Sequence, residues 1–197
     1  MRNRFYEIMW AIVRPVVLLF HPIRVEGLEN LTDEPVLLCA NHSSLWDPIL
    51  MVAALPQNER IRIMAKEQLF RIPVVNWLIR KMGAFPVNRG HSDISAIKTS
   101  IQSLKDGCHL LVFPEGTRVK EPGKAPVKGG VAMIAIRSGV KLLPVFIGTT
   151  KKVFQRVPII FGKPFAPVYT GRKGTAEEYQ TNADEVMRQA YELGGIL

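Results

Sequence analysis

The 197-residue sequence predicts an α/β fold: a single layered domain with a mostly parallel sheet covered by helices, preceded by an N-terminal amphipathic helical segment. Three observations predict it. Short apolar runs such as Leu37-Leu38-Cys39-Ala40 and His109 to Phe113 are continuous rather than alternating, the pattern of strands buried on both faces. These runs alternate with segments of helical period, as layered α/β domains require. The length suits one core of ordinary size, and no internal repeat or low-complexity linker divides the chain. We expect the helix over 1–22 and the domain over 23–197.

The first element is the helix. Phe5, Ile8, Met9, Ile12, Val16 and Leu19 recur at helical spacing on one face. Trp10, Arg2, Arg4 and Arg14 would then sit at a headgroup boundary, as in helices that lie in a membrane interface; the alternative is a helix packed on its own domain. Arg2 and Arg4 before Ile8 to Phe20 also resemble the start of a signal peptide. Arg14-Pro15 interrupts that run, however, and no small-residue cleavage site follows, so no signal peptide is expected. The run is also shorter than the ~20 apolar residues that span a bilayer.

Pro35 to Ala40 predicts a buried strand and Pro48 to Leu55 a helix. Ile61 to Ala65 is a second strand, followed by a helix near Pro73 to Met82 and a short apolar strand before Arg89. Ile94 to Leu104 has helical period and stops at Asp106-Gly107. His109 to Phe113 is a strong buried strand ended by Pro114. Val119 to Gly130 mixes Lys with Gly and Pro and reads as an exposed loop. Gly129 to Ser138 predicts a helix and Leu142 to Ile147 a strand. Thr175-Ala176-Glu177-Glu178 is a capping box opening the last helix, which Gly194-Gly195 terminates.

Composition bounds the function. A hydrophobic fraction of 47% against 22% charged residues excludes wholesale disorder. A net charge of +9 favours polyanionic partners: nucleic acid, an anionic bilayer or phosphorylated substrates. Nucleic acid is disfavoured, because the chain lacks a basic helix and aromatic-basic interleaving. Cys39 and Cys108 lie in apolar runs without a Cys-x-x-Cys motif and predict buried free thiols in a reducing compartment. His21, His42, His91 and His109 show no metal-ligand spacing, and Gly123-Lys124 is followed by Ala rather than the Ser or Thr of a phosphate loop.

Four blocks carry chemistry. In Asn41-His42-Ser43-Ser44-Leu45-Trp46-Asp47-Pro48 a strand gives way to a helix, a junction where α/β folds place ligands. Asp47 before Pro48 suits a helix N-cap. The same carboxylate can also hold one nitrogen of His42, leaving the other free to accept a proton. Phe113-Pro114-Glu115-Gly116-Thr117-Arg118 follows a buried strand and offers Glu115, Gly116, Thr117 and Arg118 as a cradle for an anionic headgroup; a turn with a local Glu115–Arg118 ion pair is the alternative. Gly83 to Gly90 places Arg89 after a short strand, as a phosphate ligand or a solvated surface residue. Leu142 to Gly148 has no titratable group and reads as a core strand near the site.

In this order and at these intervals, the blocks resemble the four motifs of the glycerolipid acyltransferase family, whose best known members are 1-acylglycerol-3-phosphate acyltransferases. Asn41, His42, Ser44 and Asp47 match the first motif, with four residues between His and Asp. Gly83 and Arg89 match the second, residues 113 to 118 the third without a mismatch, and Pro144 the fourth. Lys66-Glu67-Gln68-Leu69 resembles a Lys-x-Glu-Leu segment of family members, and Lys128-Gly129 their Lys-Gly pair. Val140-Lys141-Leu142 departs by lacking an extra proline before the strand. The resemblance covers about residues 23 to 165.

The resemblance implies transfer of a fatty acyl group from an acyl thioester to the sn-2 hydroxyl of lysophosphatidic acid, giving phosphatidic acid. His42 would be the general base and Asp47 its orienting partner, with no acyl-enzyme, so Ser43 and Ser44 are not nucleophiles. Arg89 and Arg118 would hold the phosphate, and Glu115 would order them or bond a glycerol hydroxyl. Lys66 would serve the phosphate or the oxyanion on the thioester carbonyl. The donor would be acyl-CoA or acyl-carrier protein, with no cofactor and no metal, working at an anionic membrane surface on its cytoplasmic face. Rival readings are an acyltransferase or transacylase for another lysolipid and a non-catalytic lipid-binding module.

Overall fold

The computed structural model describes residues 4–57, 60–88, 93–121 and 123–196. Helix α1 (Arg4–Phe20) leads into β1 (Ile23–Glu26), β2 (Val36–Ala40), α2 (Asp47–Ala54), β3 (Ile61–Lys66), α3 (Pro73–Lys81) and β4 (Ala84–Val87). Then follow α4 (Ile94–Lys105), β5 (His109–Val112), α5 (Gly130–Ser138), β6 (Lys141–Ile147), β7 (Val157–Phe161) and α6 (Ala176–Leu193).

The strands form one seven-stranded sheet in the order β1-β7-β6-β2-β5-β3-β4. From β6 to β4 all neighbours are parallel, whereas β7 runs antiparallel to β6 and takes β1 with it. The expected α/β class and mostly parallel sheet are therefore present. β2 and β5 sit centrally and are wholly buried, which is why their sequences run apolar without alternation. Val36, Leu38 and Ala40 pack into the core beneath α1 and α2, while Leu37 and Cys39 pack into the opposite core beneath α4, α5 and α6.

Two strands escaped the sequence reading. β1 alternates between half-buried and exposed positions and β7 between buried and half-buried ones, and they are only 4 and 5 residues long. Neither presents the continuous apolar run that marks the central strands.

Helix α1 needs a correction. Trp10 and Arg14 do not point to a headgroup boundary: Trp10 Nε1 donates to Leu55 O at 3.2 Å and Arg14 Nε to Ala53 O at 2.9 Å. Both bonds satisfy carbonyls at the open C-terminal end of α2, and the Arg14 guanidinium lies over the Trp10 ring. Val13 and Val17 complete this inward face. Ile8, Ile12, Val16 and Leu19 form an outward face and remain exposed. The helix thus packs on the domain and still presents an apolar ridge. No helix among the described residues is long and apolar enough to cross a membrane.

The last helix carries the expected capping box: the Thr175 hydroxyl accepts from Glu178 N while the Glu178 carboxylate accepts from Thr175 N. Cys39 is fully buried, and burial pushes its thiol far above the usual range. Cys108 is only half-buried, because it lies in the turn before β5 rather than in it.

Candidate active site

The C-terminal ends of the parallel strands lie on one edge, so the segments leaving β2, β5, β3, β4 and β6 emerge side by side. That geometry brings together residues far apart in sequence. Asn41, at the end of β2, is buried and spans to β6: its Nδ2 donates to Ile147 O at 2.9 Å and its Oδ1 accepts from Ile147 N at 2.7 Å. A side-chain amide here extends the sheet pairing by one rung and fixes where the next residue starts.

That residue is His42. Its Nδ1 lies 2.9 Å from Asp47 Oδ2, and its ring stacks on Phe113 at 4.3 Å. Its own N–H donates to Glu115 Oε2 at 2.8 Å, and its carbonyl accepts from Val119 N at 2.7 Å. Imidazole, backbone and ring face are therefore all held. With Asp47 ionised, Nδ1 carries the proton, and Nε2 has no partner among the described residues. This is the arrangement of a general base.

Asp47 is fully buried at the first position of α2 and does not cap it. Trp46 occupies the N-cap position, and the Asp47 carboxylate folds back into the preceding turn instead. Its Oδ2 accepts from Ser43 N and Ser44 N, both at 2.7 Å, as well as from His42. The capping role expected from Asp47-Pro48 is thus replaced by a turn-closing role. Burial pushes the Asp47 carboxyl up, but bonds from His42 and Lys151, the Lys151 charge and the Ser44 N–H outweigh it and hold the group below the usual range.

Glu115 turns inward. One oxygen accepts from His42 N, and the other accepts from the Tyr191 hydroxyl of α6, so neither goes to Arg118 as a local ion pair. Burial pushes the Glu115 carboxyl up despite these bonds, and the Tyr191 hydroxyl is raised as well, by burial first and the carboxylate second. Gly116 has φ +67°, and a Cβ there would stand 2.8 Å from Lys128 Cε. Thr117 and Arg118 are exposed beyond that turn, with Val119 pinned to His42. Lys66 is exposed at the end of β3, in register with Val87 at the end of β4. Arg89 and Gly90 lie outside the described residues.

Sequence reasoning missed two residues at this site. Tyr191 buttresses Glu115 from 76 positions away, and no local motif announces it. Lys151 leaves the end of β6 and places Nζ 2.7 Å from Asp47 Oδ1. The Lys151-Lys152 pair after Gly148 was the available signal. Between α1, α2 and α3 lies an apolar cavity of about 280 Å³, lined by residues that include Trp10, Val17, Pro48, Ile49, Ile79 and Met82. Among the described residues no group of acidic, His and Cys side chains is placed to hold a metal ion.

A family model described as Acyltransferase matches residues 22–148. The chain is 35% identical over 167 residues to a 1-acyl-sn-glycerol-3-phosphate acyltransferase of Streptococcus pneumoniae, covering 82% of this chain and 61% of that protein. It is 30% identical over 155 residues to the chloroplastic 1-acyl-sn-glycerol-3-phosphate acyltransferase LPAT1 of Arabidopsis thaliana, covering 77% of this chain and 42% of that one. The chain thus spans about half the length of these relatives. The crystal structure of the 1-acyl-sn-glycerophosphate (LPA) acyltransferase PlsC from Thermotoga maritima superimposes with a TM-score of 0.72 at 32% identity, over 98% of this chain and 79% of that one.

Proposed function

The chain belongs to the acyltransferase family whose model it matches over residues 22–148, and from that premise we propose that it acylates the sn-2 hydroxyl of 1-acyl-sn-glycerol-3-phosphate. One observation carries the reading: His42 Nδ1 is held at 2.9 Å by a buried carboxylate while Nε2 has no partner among the described residues. Nε2 takes the proton of the acceptor hydroxyl as its oxygen attacks the thioester carbonyl. The tetrahedral adduct collapses with loss of the thiolate, which receives that proton from the imidazolium. Ester and free thiol result, and no enzyme residue is acylated. Asp47 orients the ring and stabilises the imidazolium.

Arg118, after β5, and Lys66, at the end of β3, supply positive charge for the acceptor phosphate, with Arg89 of the second motif as a further phosphate ligand. Glu115 acts from behind, by holding the His42 backbone. The apolar cavity beside α2 suits an acyl chain, and the outward ridge of α1 suits the surface of an anionic leaflet from which the lysolipid is drawn. The donor is an acyl thioester of coenzyme A or of acyl-carrier protein, and the working position is the cytoplasmic face of the membrane.

The test supplies purified protein with lysophosphatidic acid and a radiolabelled acyl thioester, beside His42→Ala. Phosphatidic acid formed at an undiminished rate by His42→Ala defeats the base assignment, and no transfer to any lysolipid defeats the activity. Arg118→Ala is expected to raise KM for the acceptor by roughly tenfold and that for the donor far less, the mark of lost headgroup binding. Equal effects on both would remove Arg118 from that role.

A further inference from the structure

Lys151 is unused by the mechanism above, yet it is among the most tightly engaged side chains at the site. Its side chain is 4% exposed, and the carboxylate that it faces is fully buried. Nζ stands 2.7 Å from Asp47 Oδ1, 2.7 Å from Ser43 Oγ and 2.6 Å from Gly148 O. Two of these contacts are hydrogen bonds donated to Ser43 Oγ and Gly148 O, and the third is a buried ion pair with the Asp47 carboxylate. A buried ammonium is costly unless it is paired and hydrogen-bonded, and here it is both.

We propose that Lys151 is a positioning residue of the dyad, locking the Asp47 carboxylate and carrying its counter-charge so that His42 remains the proton acceptor. The proposal rests on the reading of His42 as general base.

The locking is geometric. Oδ2 of Asp47 is held by His42, Ser43 N and Ser44 N, and Lys151 faces Oδ1 from the opposite side, so the carboxylate is fixed at both oxygens. Lys151 also grips Ser43 Oγ, so the turn from His42 to Asp47 is tied to the end of β6 by a second route besides Asn41.

The Lys151 charge also bears on His42. Around its ring stand Asp47 from α2, the Glu115 carboxylate reached through its backbone N–H, and the uncharged face of Phe113; Lys151 is the cation on the far side of Asp47. Without that ammonium, the imidazole would be the nearest group able to balance the buried Asp47 charge. The protonated ring, useless as a base, would then be favoured over a wider pH range.

The experiment measures steady-state kinetics of the full chain with lysophosphatidic acid and a long-chain acyl-coenzyme A, or acyl-carrier protein if the first donor is not used. Rates are followed from mildly acidic to alkaline pH for wild type, Lys151→Met, Lys151→Gln, Lys151→Arg and His42→Ala. Lys151→Met is expected to lower kcat by roughly tenfold or more with both KM values changed little, and to move the acid limb of the kcat profile to higher pH. Lys151→Gln keeps hydrogen bonds to Ser43 and Gly148 without the charge, and should show the same displaced limb even if the Met variant folds poorly. Lys151→Arg should restore the wild-type limb. A wild-type limb in the Gln variant overturns the proposal, and so does a raised KM with intact kcat, which would make Lys151 a substrate ligand. Wild type inactive with both donors, or His42→Ala fully active, defeats the underlying reading instead.

Discussion

His42 and Asp47 are joined by a single short contact, but what fixes their geometry is the set of groups around them. Asn41 fixes the strand end, Phe113 covers one ring face, and Glu115 holds the His42 backbone. Asp47→Asn is expected to lower kcat by on the order of 10²–10⁴-fold, because an amide can favour the wrong tautomer of the ring. Behind them, Tyr191→Phe removes the donor to a buried carboxylate. It should cost about 1–3 kcal/mol in chemical denaturation while leaving the residues that contact substrate in place. A large loss of kcat with unchanged stability would instead place Tyr191 in the chemistry.

Elements contribute by where they end. The turn at Gly116 holds a left-handed backbone, so Gly116→Ala should destabilise by about 1–3 kcal/mol in denaturant titration. In α6, Thr175→Ala removes half of the capping box and is expected to cost about 1 kcal/mol, read as a lower Tm. Helix α1 has two apolar sides, and they separate by experiment. Ile12→Ser with Val16→Ser and Leu19→Ser alters the exposed ridge, and should reduce co-flotation with anionic vesicles with little change in Tm. Val17→Ser strikes the buried side and should lower Tm. Equal flotation of wild type and the ridge variant would count against a membrane role for that face.

For the whole molecule, pH acts on stability through two buried carboxyls with opposite signs. Asp47 is held below its unfolded value of about 3.9, so its contribution is complete above that pH and is lost as pH falls through the lower folded value. Glu115 is raised, so the folded state binds its proton more tightly, and stability declines as pH rises from about 4.3 through the folded value. The Tm of wild type should therefore fall in strong acid. The gap between wild type and Glu115→Gln should shift in favour of Gln as pH rises through that window, and a constant gap would show that Glu115 does not titrate there. The net charge of +9 adds a salt test, since binding to anionic vesicles should weaken as ionic strength shortens the screening length from about 30 Å at 0.01 M to about 8 Å at 0.15 M.

The sequence by itself determined the buried parallel strands, the helices between them and the His42, Asp47 and Glu115–Arg118 blocks, because strand burial, helical period and turn chemistry are local properties of the chain. It was blind to β1 and β7, which are short and carry no continuous apolar run, and to the direction of α1, whose two apolar stripes compete for the core. It also assigned Asp47 a cap and Glu115 a place among the substrate ligands. Only the tertiary structure turned Asp47 back into its own turn, sent Glu115 to Tyr191 and the backbone of His42, and delivered Lys151 to Asp47. The physical reason is that the strand ends meet through long-range pairing of β2 with β5 and β6, and a buried charge finds its partner across that edge rather than along the chain.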